Sequence, residues 1–144
     1  MTGAALLGLA LQLVQAAPVV PPADTPAAPA IRSPIDWEAL PPLPYRRTPR
    51  PTPQMTAFVL AEMKRTGCPQ PIPVAGNAQL RVDVAVLIGD DHVVRATIPR
   101  AIRCPTVEQY AAGLVVSYAR GNLVPRFVNA GSWYRAVLLF DWVA

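Results

Sequence analysis

Residues 80–98 have the sequence LRVDVAVLIGDDHVVRATI, and this stretch decides the fold because it predicts two strands joined by a turn. Aliphatic residues occupy every even position from 80 to 88, the period of two that is typical of a half-buried strand. Gly89, Asp90 and Asp91 then supply turn chemistry. The alternation resumes at Val94 and Pro99 stops it, so the stretch predicts a β-hairpin.

The residues after the hairpin predict an amphipathic helix. Apolar side chains recur at helical spacing over residues 107–118 and form one continuous stripe. Thr106 and Gln109 have the spacing of a capping box, and Gly121 suits the C-terminal end. The tyrosines of the stripe are interpreted as core residues rather than catalytic groups.

Residues 132–143, SWYRAVLLFDWV, predict a long last strand. Its even positions are expected to face the helices. The other face is too apolar for an ordinary solvated surface, so its residues are the candidate partner-binding strand: Trp133, Arg135, Val137, Leu139 and Asp141. Three covers for this face remain open at this point: the proline-rich segment, a second copy of the chain, or a partner.

A shorter helix is predicted ahead of the hairpin. Thr52 suits the N-cap, Pro53 the first helical position, and Gly67 the end. One face carries the apolar residues Met55, Phe58, Val59 and Met63. The predicted fold class is therefore α+β: a small two-layer sandwich over residues 52–144 in the order helix–strand–strand–helix–strand, with a three-stranded antiparallel sheet packed by two helices.

The first residues of the chain predict an export signal. Residues 1–16 contain no charged side chain and have an apolar core of signal-peptide length. A bilayer span needs about 20 residues, more than this core provides. Val14-Gln15-Ala16 predicts cleavage after Ala16. A retained short anchor and a buried helix are the alternatives.

Residues 17–51 predict a proline-rich linker, because twelve of the 18 prolines lie between positions 18 and 53. Proline fixes φ and removes a backbone donor, which favours an extended spacer. Trp37, Leu40 and Tyr45 are the candidate patch by which the linker docks on the domain. The sequence PPLP also matches the general form of polyproline ligands, a less favoured interpretation.

The two cysteines are placed to form a disulfide. Cys68 follows the first predicted helix, and Cys104 follows the second strand of the hairpin. The end of that strand neighbours the start of the first strand, to which the loop after Cys68 leads. An exported chain favours the Cys68–Cys104 bond over two buried thiols. Two cysteines and one distant histidine form no metal ligand set, so no metal or other cofactor is expected.

The composition argues against nucleic-acid binding and catalysis. The net charge is +4, and no dense Lys/Arg cluster carries interleaved aromatic residues. His92, the one histidine, follows Asp90 and Asp91 on the predicted turn, with no suitable nucleophile nearby in the sequence. Adjacent residues on a tight turn point apart, so neither a metal site nor a catalytic site is predicted there.

The element order resembles the C-terminal domain of TonB-type energy transducers. Residues 80–98 are similar to that family's first two strands around a glycine-containing turn. Residues 107–142 look like its helix, its proline-containing crossover, with Pro125 here, and its last strand. The chain lacks the Tyr-Pro motif of the family's first helix, and Leu123-Val124 replaces the aromatic residue usual before the crossover proline.

The resemblance implies a non-enzymatic periplasmic protein-interaction module. In that family a short segment of an outer-membrane receptor pairs beside the last strand, here residues 132–143. A retained leader would allow energy transduction for transport. The alternative is a secreted, disulfide-stapled structural or cell-envelope binding domain without that role. The expected partner is a protein, either a receptor segment or a second copy of the chain. Nucleic acid is not expected, and membrane attachment is expected only with a retained leader.

Overall fold

A computed structural model describes residues 34–144. They form, in chain order, α1 (Pro53–Thr66), β1 (Asn77–Ile88), β2 (Val94–Pro99), α2 (Pro105–Ala119), a 3-10 turn (Pro125–Phe127) and β3 (Trp133–Val143). The predicted α+β class and element order are confirmed. The leader predicted over residues 1–16 and the first part of the linker lie outside the described residues.

The strands form one antiparallel sheet in the order β2-β1-β3. β3 pairs with β1 along nearly its whole length, from Asn77 opposite Val143 to Leu87 opposite Trp133. The pairing of β1 with β2 covers only the second half of β1, from Val84 onward. β1 is therefore central, and β2 and β3 are the two edges of the sheet.

The core lies between one face of the sheet and the two helices. The even positions of β1 and β3 point into it, as their alternation predicts. The predicted apolar stripe of α2 packs against them. The largest fully buried side chains are Phe140, Met63, Ile88 and Leu138. Burial of a side chain of this kind stabilises a fold by roughly 1.5–3 kcal/mol.

Helix α1 begins and ends at the predicted residues. The Thr52 hydroxyl accepts a hydrogen bond from the Met55 N–H at 3.3 Å. Gly67 ends the helix with φ +67°, a conformation that glycine adopts without strain. Phe58, expected in the core, is 42% exposed and packs on Tyr110 of α2 with ring centroids 4.5 Å apart. It therefore covers the rim of the contact between the two helices.

The start of α2 differs from the prediction. Cys104 is the N-cap and Pro105 the first helical residue, so Thr106 lies inside the helix. Proline at this position has the helical φ and lacks only an N–H that would have no partner. The Glu108 carboxylate takes over the capping role, since it accepts the N–H groups of Ile102 at 2.8 Å and Cys104 at 3.1 Å. The predicted capping box of Thr106 and Gln109 is wrong.

The predicted disulfide is confirmed. Cys68 and Cys104 are bonded, with their Cα atoms 5.4 Å apart, and both residues are buried. The bond joins the end of α1 to the start of α2 and closes a loop that contains β1 and β2. Disulfides of this kind are typical of oxidising compartments. No helix in the described part of the chain is both long and apolar enough to cross a membrane.

Candidate functional site

The outer edge of β3 is the candidate site, and its backbone geometry follows from the strand pattern. In an antiparallel pair, alternate residues direct their N–H and C=O groups toward and away from the partner strand. Arg135 directs both groups away from β1, because they bond to residues outside the sheet. Val137, Leu139 and Asp141 are in phase with Arg135, so their backbone groups point the same way.

Residues 36–43, which we call the strap, cover the beginning of this edge. The Arg135 N–H donates to the Pro41 carbonyl at 2.8 Å, and the Leu43 N–H donates to the Arg135 carbonyl at 2.8 Å. This is a short parallel bridge centred on Pro42. Among residues 34–144, no hydrogen bond reaches the outward N–H groups of Val137, Leu139 and Asp141. The edge is thus paired at its start and unpaired beyond.

Side chains fasten the strap to the sheet. The Arg135 guanidinium donates to the Trp37 carbonyl at 3.0 Å and lies 3.4 Å from the Glu38 carboxylate. The Arg100 guanidinium lies over the Trp37 ring, 5.5 Å from its centroid. A cation placed over an indole face is attracted by the negative charge of the ring. The strap therefore crosses the sheet face opposite the helices.

Apolar residues on that face are buried near the strap. Ala85 and Leu87 are buried although both helices lie on the other side of the sheet. Ala85 is paired with Arg135 in the β1–β3 register, next to the strap's attachment. Of the three covers that the sequence leaves open, the proline-rich segment is the one that lies over this part of the face.

The chain after the strap is also attached to the domain. The Val124 N–H donates to the Pro44 carbonyl at 2.9 Å, and the Arg46 N–H donates to the Asn122 carbonyl at 2.6 Å. Tyr45 lies between these contacts and is half-buried. Burial, and secondarily the nearby Tyr118, raise the pKa of the Tyr45 phenol. The hydrogen-bonded structure therefore begins N-terminal to residue 52, where the predicted domain starts.

The candidate docking residues Trp37, Leu40 and Tyr45 occupy different places along this path. Trp37 lies under Arg100 on the open face of the sheet. Leu40 is half-buried in the strap, and Tyr45 bridges to Leu123 after α2. They form a series of contacts along the attached segment rather than one patch.

A groove of about 810 Å³ runs along the unpaired part of the β3 edge, and we call it the edge groove. Residues 48–51 close it near the start of α1. Its two long walls come from α1 and β3: Pro53, Thr56, Ala57 and Leu60 on one side, and Val137, Leu139, Asp141 and Trp142 on the other. From residue 137 to residue 141 the edge is about 14 Å long, at about 3.4 Å per residue.

The groove combines apolar walls with few charges. Val137 and Leu139 are 37% and 39% exposed, so each presents a partly accessible aliphatic surface. The charged residues that line it are Arg50 and Asp141. The Asp141 carboxylate accepts one hydrogen bond, from the Gln79 amide at 2.6 Å, and keeps further acceptor capacity. An apolar extended chain with few charges matches these walls.

The sheet beside the groove is fixed by a buried carboxylate. Asp83 is 5% exposed and pairs with Arg81 at 3.0 Å and Arg100 at 3.3 Å. In the β1–β3 register Asp83 lies opposite Val137, and Arg81 lies opposite Leu139. A buried charge is tolerated only when it is paired, so this network holds the strand next to the open edge in place.

The structure divides the five candidate strand residues into two groups. Trp133 and Arg135 lie at the beginning of β3, and the strap takes the Arg135 backbone. Val137, Leu139 and Asp141 line the edge groove. The opposite wall, contributed by α1 and residues 48–51, is not predicted from the sequence. Its residues carry no local signal, because the position of α1 beside β3 depends on tertiary packing.

The polar turn of the hairpin holds the histidine and one ion pair. His92 has φ +58° on the turn, and the Asp91 carboxylate pairs with Arg95 at 2.6 Å. Within residues 34–144, no group of three or more His, Cys, Asp and Glu residues is arranged to hold a metal ion.

The fold and the edge together define a small disulfide-bonded α+β domain with a partly unpaired edge strand. Comparisons with protein-family models, curated proteins and solved structures gave no match to this chain.

Proposed function

We propose that this chain is a non-enzymatic protein-interaction module that binds an extended segment of a partner protein as a strand added to β3. The observation that carries the proposal is the unpaired, outward-directed backbone of Val137, Leu139 and Asp141 inside the edge groove. In strand addition, backbone hydrogen bonds supply affinity and pockets for alternate side chains supply specificity. The two walls of the groove offer such pockets.

The strap supports the proposal because it uses the same edge in the same way. Its two 2.8 Å hydrogen bonds with Arg135 are those of an added strand. An incoming segment would continue this pairing from Val137 onward. An unpaired apolar edge is an aggregation hazard unless something covers it, which also favours a dedicated occupant.

The compartment and partner are inferred from further features. The Cys68–Cys104 disulfide supports an oxidising compartment, and the predicted leader supports export. We therefore propose that the protein is periplasmic or secreted. The resemblance to TonB C-terminal domains supports an outer-membrane receptor segment as the partner and transport as the process. A retained leader would add energy transduction to this role.

A second candidate function is a secreted structural or cell-envelope binding domain without an energised partner. The same disulfide favours it, since small exported domains use such bonds for stability. Mass spectrometry of the mature N-terminus separates the two candidates. A mature chain that starts at Ala17 lacks any anchor and favours the second, whereas retention of residues 1–16 favours the first.

The strand-addition proposal is tested by proline at an outward-facing donor. The Leu139 N–H points away from β1, so Leu139→Pro removes a groove donor and spares the β1–β3 hydrogen bonds. Thr97→Pro is the matched control on the opposite edge, because Thr97 is in phase with Pro99 and faces away from β1. The assay is capture of partner proteins from envelope extract by the full chain.

Leu139→Pro is expected to lose capture while it keeps the far-ultraviolet circular dichroism of the parent, and Thr97→Pro is expected to retain both. Leu138→Pro instead removes a ladder donor to β1 and a buried side chain, so it is expected to unfold the domain. Undiminished capture by a folded Leu139→Pro variant would falsify strand addition at this edge.

A further inference from the structure

The edge groove is closed at one end and open at the other. At Arg135 the strap already occupies the outward backbone groups, so an added segment meets Pro41 and Leu43 there. At the opposite end, β3 finishes at Val143 beside the turn that leads into β1. A partner segment longer than the unpaired edge must therefore leave the groove past Val143.

An apolar surface lies where such a segment would leave. Ile72, Val74 and Val143 are 87%, 74% and 83% exposed, and we call them the apolar patch. They line a second groove of about 690 Å³ together with Trp142 and Asp141. Those last two residues also line the edge groove, so the two grooves adjoin there.

Hydrogen bonds and the disulfide fix the backbone that carries the apolar patch. Val74 and Asn77 exchange two hydrogen bonds of 2.7 and 3.0 Å across a tight turn. The Ala144 N–H donates to the Gly76 carbonyl at 2.9 Å, which ties the end of β3 to the same turn. The disulfide at Cys68 anchors the other end of the loop. Apolar side chains presented on a fixed backbone lose little conformational entropy on binding.

We propose that the partner segment is bipartite: its first part pairs with the β3 edge at residues 137–141, and its continuation seats apolar side chains on the patch. This inference rests on the proposed strand addition and names the partner's chemistry. At about 3.4 Å per residue, the paired part takes about five residues, and three or four more reach the patch.

The composition of the segment follows from the walls. Side chains beside Val137 and Leu139 are aliphatic, and those on the patch are aliphatic or aromatic. The Asp141 carboxylate lies at the junction of the two grooves and accepts a hydrogen bond only from Gln79 among the described residues, so a lysine or arginine suits that position. The segment is thus an extended apolar peptide with one basic residue near its middle.

The test uses peptides of about twelve residues, selected from a random library on the intact chain and then synthesised with a fluorescent label. Their affinity is measured by anisotropy for the parent, Leu139→Pro, Val74→Asp and Val93→Asp. Val93 is the matched control, because it is 51% exposed on the hairpin turn and lines neither groove. A truncated peptide that keeps only the paired part is measured with the same proteins.

Val74→Asp is expected to lower the affinity for the full peptide at least about tenfold. The affinity of Val93→Asp should stay within about twofold of the parent's. The truncated peptide is expected to bind more weakly and to be insensitive to Val74→Asp. Some selected peptides will lose binding to the Leu139→Pro variant. If Val74→Asp and Val93→Asp bind those peptides with equal affinity, the bipartite segment is refuted and strand addition is not.

Two other outcomes count against the proposal. If no selected peptide is sensitive to Leu139→Pro, both strand addition and its extension are refuted. If the unliganded chain dimerises in sedimentation experiments and Val74→Asp abolishes the dimer, a second copy occupies the patch and the partner segment does not.

Discussion

The Cys68–Cys104 bond gives a prediction whose size can be worked from the structure. Replacing both cysteines with alanine removes a cross-link between residues separated by 36 positions. In the chain-entropy model a closed loop of that length loses about 13 cal/mol/K in the unfolded state, or about 4 kcal/mol at 25 °C. The free energy of unfolding of a typical domain is only about 5–15 kcal/mol, so removal of the disulfide costs a large share of the domain's stability.

The assay is urea unfolding at neutral pH, followed by circular dichroism, for the parent and for C68A/C104A. The reduced parent separates the cross-link from side-chain packing, because it loses the bond and keeps both sulfur atoms. The variant with two alanines is the control for the reductant, which should not change its unfolding midpoint.

We expect the free energy of unfolding of the oxidised parent to exceed that of the reduced parent by about 4 kcal/mol. The free energy of unfolding of C68A/C104A should be slightly below that of the reduced parent, because both cysteines are buried and alanine leaves part of their volume empty. A difference of less than about 1 kcal/mol between the oxidised and reduced parent would refute the loop-closure reasoning. It would indicate that β1 and β2 remain ordered relative to each other in the unfolded ensemble.

Two further predictions concern the β3 edge and the segment that follows the strap. Amide hydrogen exchange is expected to be slow at Arg135, whose N–H bonds to Pro41, and fast at Leu139, whose N–H has no described partner; equal protection of the two amides would contradict the edge geometry. Stability is expected to fall as pH rises above about 10, the phenol's value in the unfolded chain, by up to about 1.4 kcal/mol per pH unit for Tyr45. The sign follows because burial raises the folded-state pKa of Tyr45, so the folded chain keeps a proton that the unfolded chain releases. Urea unfolding midpoints at about pH 9 and pH 11 measure this fall in stability. Between these two pH values, Tyr45→Phe should lose less stability than the parent.

The strands and helices were predictable because local periodicity specifies them. The alternation over residues 80–88 fixes which side chains of β1 enter the core, and the even positions of β3 follow the same rule. The disulfide followed from the hairpin, since it puts Cys104 near the loop that holds Cys68. The cap of α2 was mispredicted because Pro105 starts the helix ahead of Thr106.

The candidate site was only half predictable for a physical reason. The exposed apolar face of β3 lies within one strand, so the residues of that strand predict it. The other wall of the groove belongs to α1, whose placement beside β3 depends on contacts distant in sequence. Nothing local in residues 36–43 specifies that Pro41 and Leu43 bond to Arg135 rather than to another edge.

The proline at the centre of the parallel bridge, Pro42, limits how many strands can be added to the sheet there. Pro41 and Leu43 turn their backbone groups toward β3, which leaves the intervening Pro42 facing outward. Proline has no N–H, so the outer side of the strap lacks the donor that a further chain would need. A molecule that stacked against β3 would find a register only about five residues long. The open edge can therefore pair with one short partner segment, whereas the strap offers no N–H at Pro42 on which a further strand could build.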